Sequence, residues 1–328
     1  MSEPPLEVLL TQTAFERFGN RLTGVVALRM QGDGTLRRGE ANVPLDEAYP
    51  PVVWGTPDLF DVGGPLQAFF AFLHERADSV RWFQSPSAGV DAHWFDGLRR
   101  RGLRLTTSHV NNVSVAEYVM GAVLEHYQRR DRWRESASRR AWEPSSFREL
   151  YGTTWLVIGL GALGSAVAVR AKAFGVEVVG VRRRASGDEP VGRVVAPADV
   201  HGVLGEADVV VLAAPATAET RHLVDARFLT AMRPRSVLVN VARGSLVDED
   251  ALLAALDRGT PEAALLDVTT IEPLPAASPL WHHPAVTVSP HSAGRGEGRY
   301  ARAAELFVDN LDRYRRGLPL QHELDPPP

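Results

Sequence analysis

Three polar residues in the second half of the chain each follow an apolar run of strand length. Arg243 lies in NVARG (240–244) after the run Ser236–Val239, Glu272 in LLDVTTIEPLP (265–275), and His291 in SPHSAG (289–294) after Val286–Val288. An arginine offers a rigid planar fork that fits the carboxylate and carbonyl of an oxo acid. A histidine can give a proton to a carbonyl oxygen as hydride arrives on the carbon. A glutamate beside it stabilises the imidazolium and holds its tautomer. Singly, each has an ordinary explanation: a loop acid before Pro273, a capping or surface histidine after Pro290, a strand-to-helix turn at NVARG. Jointly they point to reduction of an oxo acid.

A hydride source is written into residues 159–164, GLGALG. An apolar run (Trp155–Ile158) precedes them, a helix-like stretch (Ser165–Phe174) follows, and a second apolar run (Val176–Val181) comes after that. Strand, glycine turn, helix and strand make the unit that binds a dinucleotide. Gly159 permits the tight turn, Gly161 lets the backbone approach a pyrophosphate, and Gly164 lets the helix sit close on the strand. The helix N-terminus offers unpaired N–H groups and partial positive charge to the phosphates. An NAD site usually carries an acid at the end of the second strand. Position 182 is Arg, followed by Arg183 and Arg184. Guanidinium groups pair with a 2′-phosphate, whereas a carboxylate repels it. NADP is therefore the expected cofactor, with NAD as the alternative.

The elements that must position these groups alternate. Strands are expected at 6–11, 25–30, 51–55, 80–85 and 103–107, with helical patterns at 65–77, 91–100 and 113–129. Asn111 or Asn112 is the candidate cap of the last of these. After the glycine turn, strands are expected at 153–158, 176–181, 208–213, 236–241, 263–268 and 285–288. A final helix at 297–316 carries the stripe Tyr300, Ala304, Phe307, Leu311, Tyr314. This alternation predicts an α/β protein with two doubly wound parallel sheets. In such sheets the carboxyl ends of the strands share one edge, where ligands bind, so residues distant in sequence can converge. The glycine turn opens near residue 150, so one α/β domain precedes the nucleotide domain. The expected division is 1–102 with 294–328 for the substrate domain and 103–293 for a Rossmann cofactor domain.

Composition narrows the function classes. The 328 residues suffice for two cored domains, and 45% hydrophobic with 23% charged residues is the balance of an ordinary globular protein. A net charge of −4 gives no reason to expect nucleic acid or an anionic membrane as partner. The arginines of 129–140 are interleaved with Asp131 and Glu135 and read as a solvated helix face. The absence of cysteine excludes disulfides and thiolate chemistry and suits a reducing cytoplasm, the expected location. No signal-like or membrane-spanning run is present, and the proline tail at 326–328 reads as frayed.

The chain resembles the D-isomer-specific 2-hydroxyacid dehydrogenases, the family of glyoxylate/hydroxypyruvate reductases, D-lactate and phosphoglycerate dehydrogenases. The resemblance runs from about 80 to 316 and rests on SAGVD (87–91), VAEYVMGAVL (115–124), GLGALG, VLAAPATAETRHLV (211–224), VLVNVARGSLVDEDALLAAL (237–256), DVTTIEPLP (267–275) and PHSAG (290–294). It implies a cofactor domain inserted into a flavodoxin-like substrate domain that the C-terminal helix completes. It implies catalytic roles for Arg243, Glu272 and His291. Backbone N–H groups of Ala88 and Gly89, with Arg243, would hold the substrate carboxylate. Asp267 would bond the nicotinamide carboxamide, and Ala162 and Leu163 the pyrophosphate. Ala214, Pro215 and Thr217 would flank the adenosine, with Asn240 and Val241 near the nicotinamide. A homodimer is implied, with a helical arm at 125–145 carrying Trp133 and Trp142 toward the partner. The chain departs from the family pattern at Arg182, and at Thr270, where another acid is common. Two other classes compete: a nucleotide-sensing binding protein of the same fold, and a Rossmann reductase built on Tyr-x-x-x-Lys. The latter pair is absent, since the single lysine, Lys172, lies on the cofactor helix. Trp54, Trp82, Trp94 and Trp281 could shape a bulky substrate pocket or fill cores.

Overall fold

A computed structural model of the chain describes residues 5–89 and 93–325. Val90 and Asp91 of SAGVD, the Trp94 side chain and the proline tail lie outside the described set. Two compact units result: one holds the chain up to Asn111 and from Glu297 onward, the other Asn112–Gly296.

The first unit contains β1 (Leu6–Thr11), α1 (Gln12–Phe18), β2 (Val25–Met30), β3 (Leu36–Arg38), β4 (Ala41–Val43), β5 (Val52–Trp54), α2 (Leu66–Glu75), β6 (Trp82–Gln84), α3 (His93–Arg100) and β7 (Arg104–Thr106). Its sheet order is β4-β3-β2-β1-β5-β6-β7. The five strands from β2 to β7 pair in parallel, in the flavodoxin-like order expected of a substrate domain. The sheet is not wholly parallel, however. β3 and β4 form an antiparallel hairpin beyond β2, with Leu36 opposite Val43. Only those two of its side chains are buried, and the intervening Arg-Arg-Gly-Glu turn is polar, so the segment carries no strand signal of its own.

Alternation along β1 divides two cores. Leu9 faces Leu28, Val53, Phe69 and Phe83, whereas Val8 and Leu10 face Trp54, Trp82 and the last helix. Strands buried on both faces read as continuous apolar runs, which is why these were legible.

The second unit opens with α4 (Asn112–Gln128) and α5 (Arg130–Ser138). Then come β8 (Thr154–Ile158), α6 (Ala162–Ala173), β9 (Glu177–Val181), β10 (Arg193–Val195), β11 (Val209–Leu212), α7 (Ala226–Ala231), β12 (Val237–Asn240), α8 (Glu249–Asp257), β13 (Ala263–Leu266) and β14 (Val286–Val288). The sheet runs β10-β9-β8-β11-β12-β13-β14, every pair parallel. Chain order reverses between β8 and β11, the switch point of a Rossmann sheet. β10 was not anticipated; its three residues are half-exposed at the sheet edge. α4 packs its Ala116, Val119 and Val123 stripe with Val167, Ala168 and Ala171 of α6. α5 buries no residue and carries its arginines in exposed ion pairs, including Arg134 with Glu125 and Arg139 with Glu143.

The chain then returns to the first unit as α9 (Arg299–Arg315). Phe307 of α9 stacks on Trp54 at 4.4 Å and on Trp82 at 5.2 Å, and Tyr314 stacks on Trp82. Trp54 and Trp82 are therefore core residues. The boundaries also shift from those expected. Segment 103–111 stays with the first unit because β7 pairs with β6 and Leu324 N–H donates to Leu105 O at 2.9 Å. Residues 294–296 stay with the second, where a Cβ on Gly296 would lie 2.6 Å from Ser114 Cβ.

Candidate active site

The carboxyl ends of β8, β11, β12, β13 and β14 share one edge of the second sheet, and the candidate groups of this unit lie at those strand ends, in the loops that leave them or the end of β9, or in the first turn of α6. At the glycine turn, Gly159 has φ +100°, and a Cβ there would lie 2.5 Å from Ala214 N. A Cβ on Gly164 would lie 2.1 Å from Gly159 O, so this glycine sets the helix against the turn. Gly161 differs: a Cβ there would meet nothing within 4 Å. Its smallness serves no packing among the described residues, and it lines a cavity of about 730 Å³. α6 starts at Ala162 on Gly161, which has no side chain to cap it, so the amides of Ala162 and Leu163 stand at an uncapped helix N-terminus.

Gly159, Gly161, Arg182, Arg183, Ala214, Pro215 and Thr217 all line that cavity. Its floor is apolar, from Val181, Val200 and Leu223, and its rim carries three arginines and one acid, Glu219. An adenosine on the apolar floor, a pyrophosphate at the helix end and a phosphate on the arginines would match these surfaces, so the residues present fit a dinucleotide. Val241 does not line the cavity; it is 8% exposed in the core beneath α4. Gly180, one residue before the end of β9, also matters: a Cβ there would lie 1.9 Å from Leu160 Cδ1 of the glycine turn.

Arg182 is not idle. Its Nη1 donates to Glu189 Oε1 at 2.9 Å. Glu189 also accepts from Ser186 N at 2.6 Å and Gly187 N at 2.9 Å, and these backbone donors hold its carboxyl down at about 2. The sequence reading missed Glu189, although the Ser-Gly-Asp turn that returns it to the arginine was visible. Thr217 donates to Glu219 at 2.6 Å, and that bond keeps the Glu219 carboxyl below its ordinary range.

After β12 the NVARG loop is shaped by Asn240, which is 1% exposed. Its amide donates to Arg243 O at 3.0 Å and accepts from Ala242 N at 3.1 Å. Asn240 thus folds the loop. Gly244 then abuts the loop after β13, where a Cβ would lie 2.0 Å from the Thr269 carbonyl carbon. That contact brings the Arg243 and Glu272 loops together. Glu272 Oε1 accepts from Thr269 N at 3.1 Å. Its other oxygen, Oε2, lies 2.7 Å from His291 Nδ1. Thr270, where an acid is common in the family, donates its N–H to Glu249 of α8 at 2.6 Å, so a carboxylate reaches this loop from elsewhere.

His291 sits at φ +50°, sparsely populated by non-glycine residues. Its N–H donates to Asp267 O and Ser289 O, both at 2.9 Å. The Asp267 side chain, 4% exposed, accepts from Ser292 N at 2.8 Å and Ala293 N at 3.0 Å, and from the Ser289 hydroxyl, which is itself 2.8 Å from the Tyr118 hydroxyl. Burial pushes the Tyr118 phenol up. Oδ1 takes most of these donors, and Oδ2 shares only Ala293 N, at 3.1 Å. Asp267 therefore ties down the loop that presents His291, while Oδ2 keeps acceptor capacity for a ligand.

The sheet edge thus brings together the glycine turn, Arg243, Glu272 and His291. Residues 120–293 match the family model described as D-isomer specific 2-hydroxyacid dehydrogenase, NAD binding domain. The chain belongs to the D-isomer-specific 2-hydroxyacid dehydrogenase family. It is an NAD(P)-dependent oxidoreductase of that family. It is 35% identical over 277 residues to a glyoxylate/hydroxypyruvate reductase B of Pectobacterium atrosepticum, covering 81% of this chain and 85% of that one. A crystal structure of a D-isomer specific 2-hydroxyacid dehydrogenase family protein from Aeromonas salmonicida is 31% identical with a TM-score of 0.81, covering 98% and 99% of the two chains. A Xanthobacter autotrophicus dehydrogenase, solved with NADPH and MES, is 27% identical with a TM-score of 0.74, covering 98% of each.

Ala88 and Gly89 belong to the other unit, in the loop after β6. There Ser87 Oγ donates to Gly89 O at 3.3 Å, and Ser87 O accepts from Ser108 N at 3.0 Å. Among the described residues of the dehydrogenase, no group of three or more His, Cys, Asp or Glu side chains could hold a metal, and no helix is long and apolar enough to cross a membrane.

Proposed function

We propose that this dehydrogenase reduces a small 2-oxo acid, glyoxylate or hydroxypyruvate, with NADPH. The observation that carries the reading is the 2.7 Å contact between Glu272 and His291 at the edge where the glycine turn opens. Nδ1 is committed to the carboxylate, so Nε2 is the nitrogen that gives its proton to the substrate oxygen. Glu272, held by Thr269 N, fixes the ring's tautomer and stabilises the imidazolium that must form again after each turnover. Bound reduced nicotinamide supplies the hydride. Arg243 grips the carboxylate and carbonyl of the oxo acid. Oδ2 of Asp267 would hold the carboxamide of a bound nicotinamide.

NADPH is favoured over NADH because three arginines line the adenosine end of the cavity and position 182 carries no acid. A similar protein bound to NADPH supports the same reading. A homodimer in which α5 meets the partner is supported by the exposure of Trp133 and Trp142. The test is a panel of 2-oxo acids with NADPH and NADH, followed at 340 nm. NADPH oxidation fastest with glyoxylate or hydroxypyruvate is the expected result. Tight nucleotide binding with no turnover on any oxo acid would instead mark a nucleotide-sensing binding protein.

A further inference from the structure

Arg182, the residue best placed to meet a 2′-phosphate, already has an anionic partner. Glu189 Oε1 lies 2.9 Å from its Nη1, and the Glu189 side chain is only 4% exposed. Three further donors converge on the same carboxylate: Ser186 N at 2.6 Å, Ser186 Oγ at 3.0 Å and Gly187 N at 2.9 Å. The Ser186 donors meet Oε1 and Gly187 N meets Oε2, so both oxygens close the turn while Oε1 also faces Arg182. A carboxylate adds a negative charge at the guanidinium where a second anion would have to dock. Arg183 and Arg184 line the same cavity, where the Glu219 carboxylate also stands within the field of Arg183, so the cavity keeps cationic groups whether or not Arg182 is engaged.

We infer that Glu189 is a specificity-determining residue: it competes with the cofactor's 2′-phosphate for Arg182 and so sets how far the cleft prefers the phosphorylated dinucleotide. A non-phosphorylated dinucleotide places no anion at Arg182, so it docks beside the intact pair without displacing it. The phosphorylated form must either displace Glu189 or share the guanidinium with it against like-charge repulsion. Glu189 therefore weakens one cofactor and leaves the other unaffected.

This inference rests on Arg182 being the 2′-phosphate contact, and the experiment separates the two. Binding of adenosine 2′,5′-bisphosphate and of 5′-AMP is measured by calorimetry on the full chain. The proteins are wild type, Glu189→Gln, Arg182→Ala and the double variant. Gln keeps one acceptor oxygen, enough for Ser186 N or Gly187 N but not both, because the two donate to different carboxylate oxygens; matching melting curves would verify that the turn is retained. In Glu189→Gln the bisphosphate should bind about tenfold tighter, the scale of one hydrogen bond to a charged group. 5′-AMP should be unchanged. In the Arg182→Ala background the Glu189→Gln effect should vanish, because Glu189 acts through that guanidinium. If Arg182→Ala weakens the bisphosphate but Glu189→Gln leaves it unchanged or weaker, the inference is overturned and the NADP reading stands. If Arg182→Ala binds the bisphosphate as wild type does, Arg182 is not the contact and both fall.

Discussion

Asp267 offers the sharpest structural test of how His291 is held. Replacing it with Ala removes the acceptor of two backbone N–H groups, Ser292 at 2.8 Å and Ala293 at 3.0 Å, and of the Ser289 hydroxyl. Each hydrogen bond to a charged acceptor contributes about 1.5–3 kcal/mol. Ala293 is 5% exposed, so its amide gains no replacement, whereas Ser292 is half-buried and water can reach it. With that discount the loss is roughly 2–4 kcal/mol. In a unit of this size that corresponds to a melting temperature lower by roughly 5–15 °C. The His291 backbone keeps its bond to Asp267 O, which any residue at 267 supplies. The rest of the loop is freed, and a displacement of about 1 Å at a reacting group can cost about 100-fold in rate. Asp267→Asn, which retains one acceptor oxygen, should fall between Ala and wild type in both respects. The assays are thermal unfolding by circular dichroism and kcat on the preferred oxo acid. An Asp267→Ala protein with unchanged melting temperature and kcat would refute the claim that this carboxylate anchors the loop.

Three other outcomes follow from individual contacts. Arg243→Lys keeps the charge but loses the planar fork, so KM for the oxo acid should rise about tenfold or more, while near-normal kinetics in Arg243→Ala would remove Arg243 from the site. Gly164→Ala would place a Cβ 2.1 Å from Gly159 O. α6 must then back away from the turn at a cost of about 1–3 kcal/mol, and NADPH affinity should fall, which fluorescence titration would detect. Glu323 pairs with Arg104 at 2.6 and 2.7 Å, and that hydrogen bonding holds its carboxyl below the ordinary glutamate range. Its stabilisation is therefore complete above that range and is lost as pH falls through the lowered value. Protection of the Leu324 amide against hydrogen exchange, corrected for intrinsic rate, should drop on acidification in wild type; the same drop in Glu323→Gln would show that another group is responsible.

What was legible in the sequence follows from how each part is built. β11 and β12, Val209–Leu212 and Val237–Asn240, are buried along their whole length and read as unbroken apolar runs. The β3–β4 hairpin and β10 have too few buried side chains to leave a pattern, so they passed as loops. Arg243, Glu272 and His291 could be singled out because each follows such a run. Their support could not be foreseen in the same way. Gly244 against Thr269, Asp267 beneath Ser292 and Ala293, and Asn240 within its own loop all depend on which loops the strand order makes neighbours. Asp267 and Asn240 carry structural duties that a resemblance to the family assigned to ligand contact alone. Glu189 lies only seven residues beyond Arg182 in the chain, and the Ser-Gly-Asp turn between them is visible, yet nothing in RRRASGDEP says which of the three arginines the turn brings it to. Trp54 and Trp82 were ambiguous because an indole suits a core or a pocket equally, and only the stacking of Phe307 decides between them.

The central claim is that His291, oriented by Glu272, delivers the proton in 2-oxo acid reduction. The most direct measurement is kcat for NADPH-dependent glyoxylate reduction by wild type and His291→Ala, with NADPH affinity measured on the same samples. A fall in kcat of about 10²–10⁴-fold, with NADPH binding unchanged, is the result expected when a positioned general acid is removed. A His291→Ala protein that turns over at the wild-type rate would contradict the account.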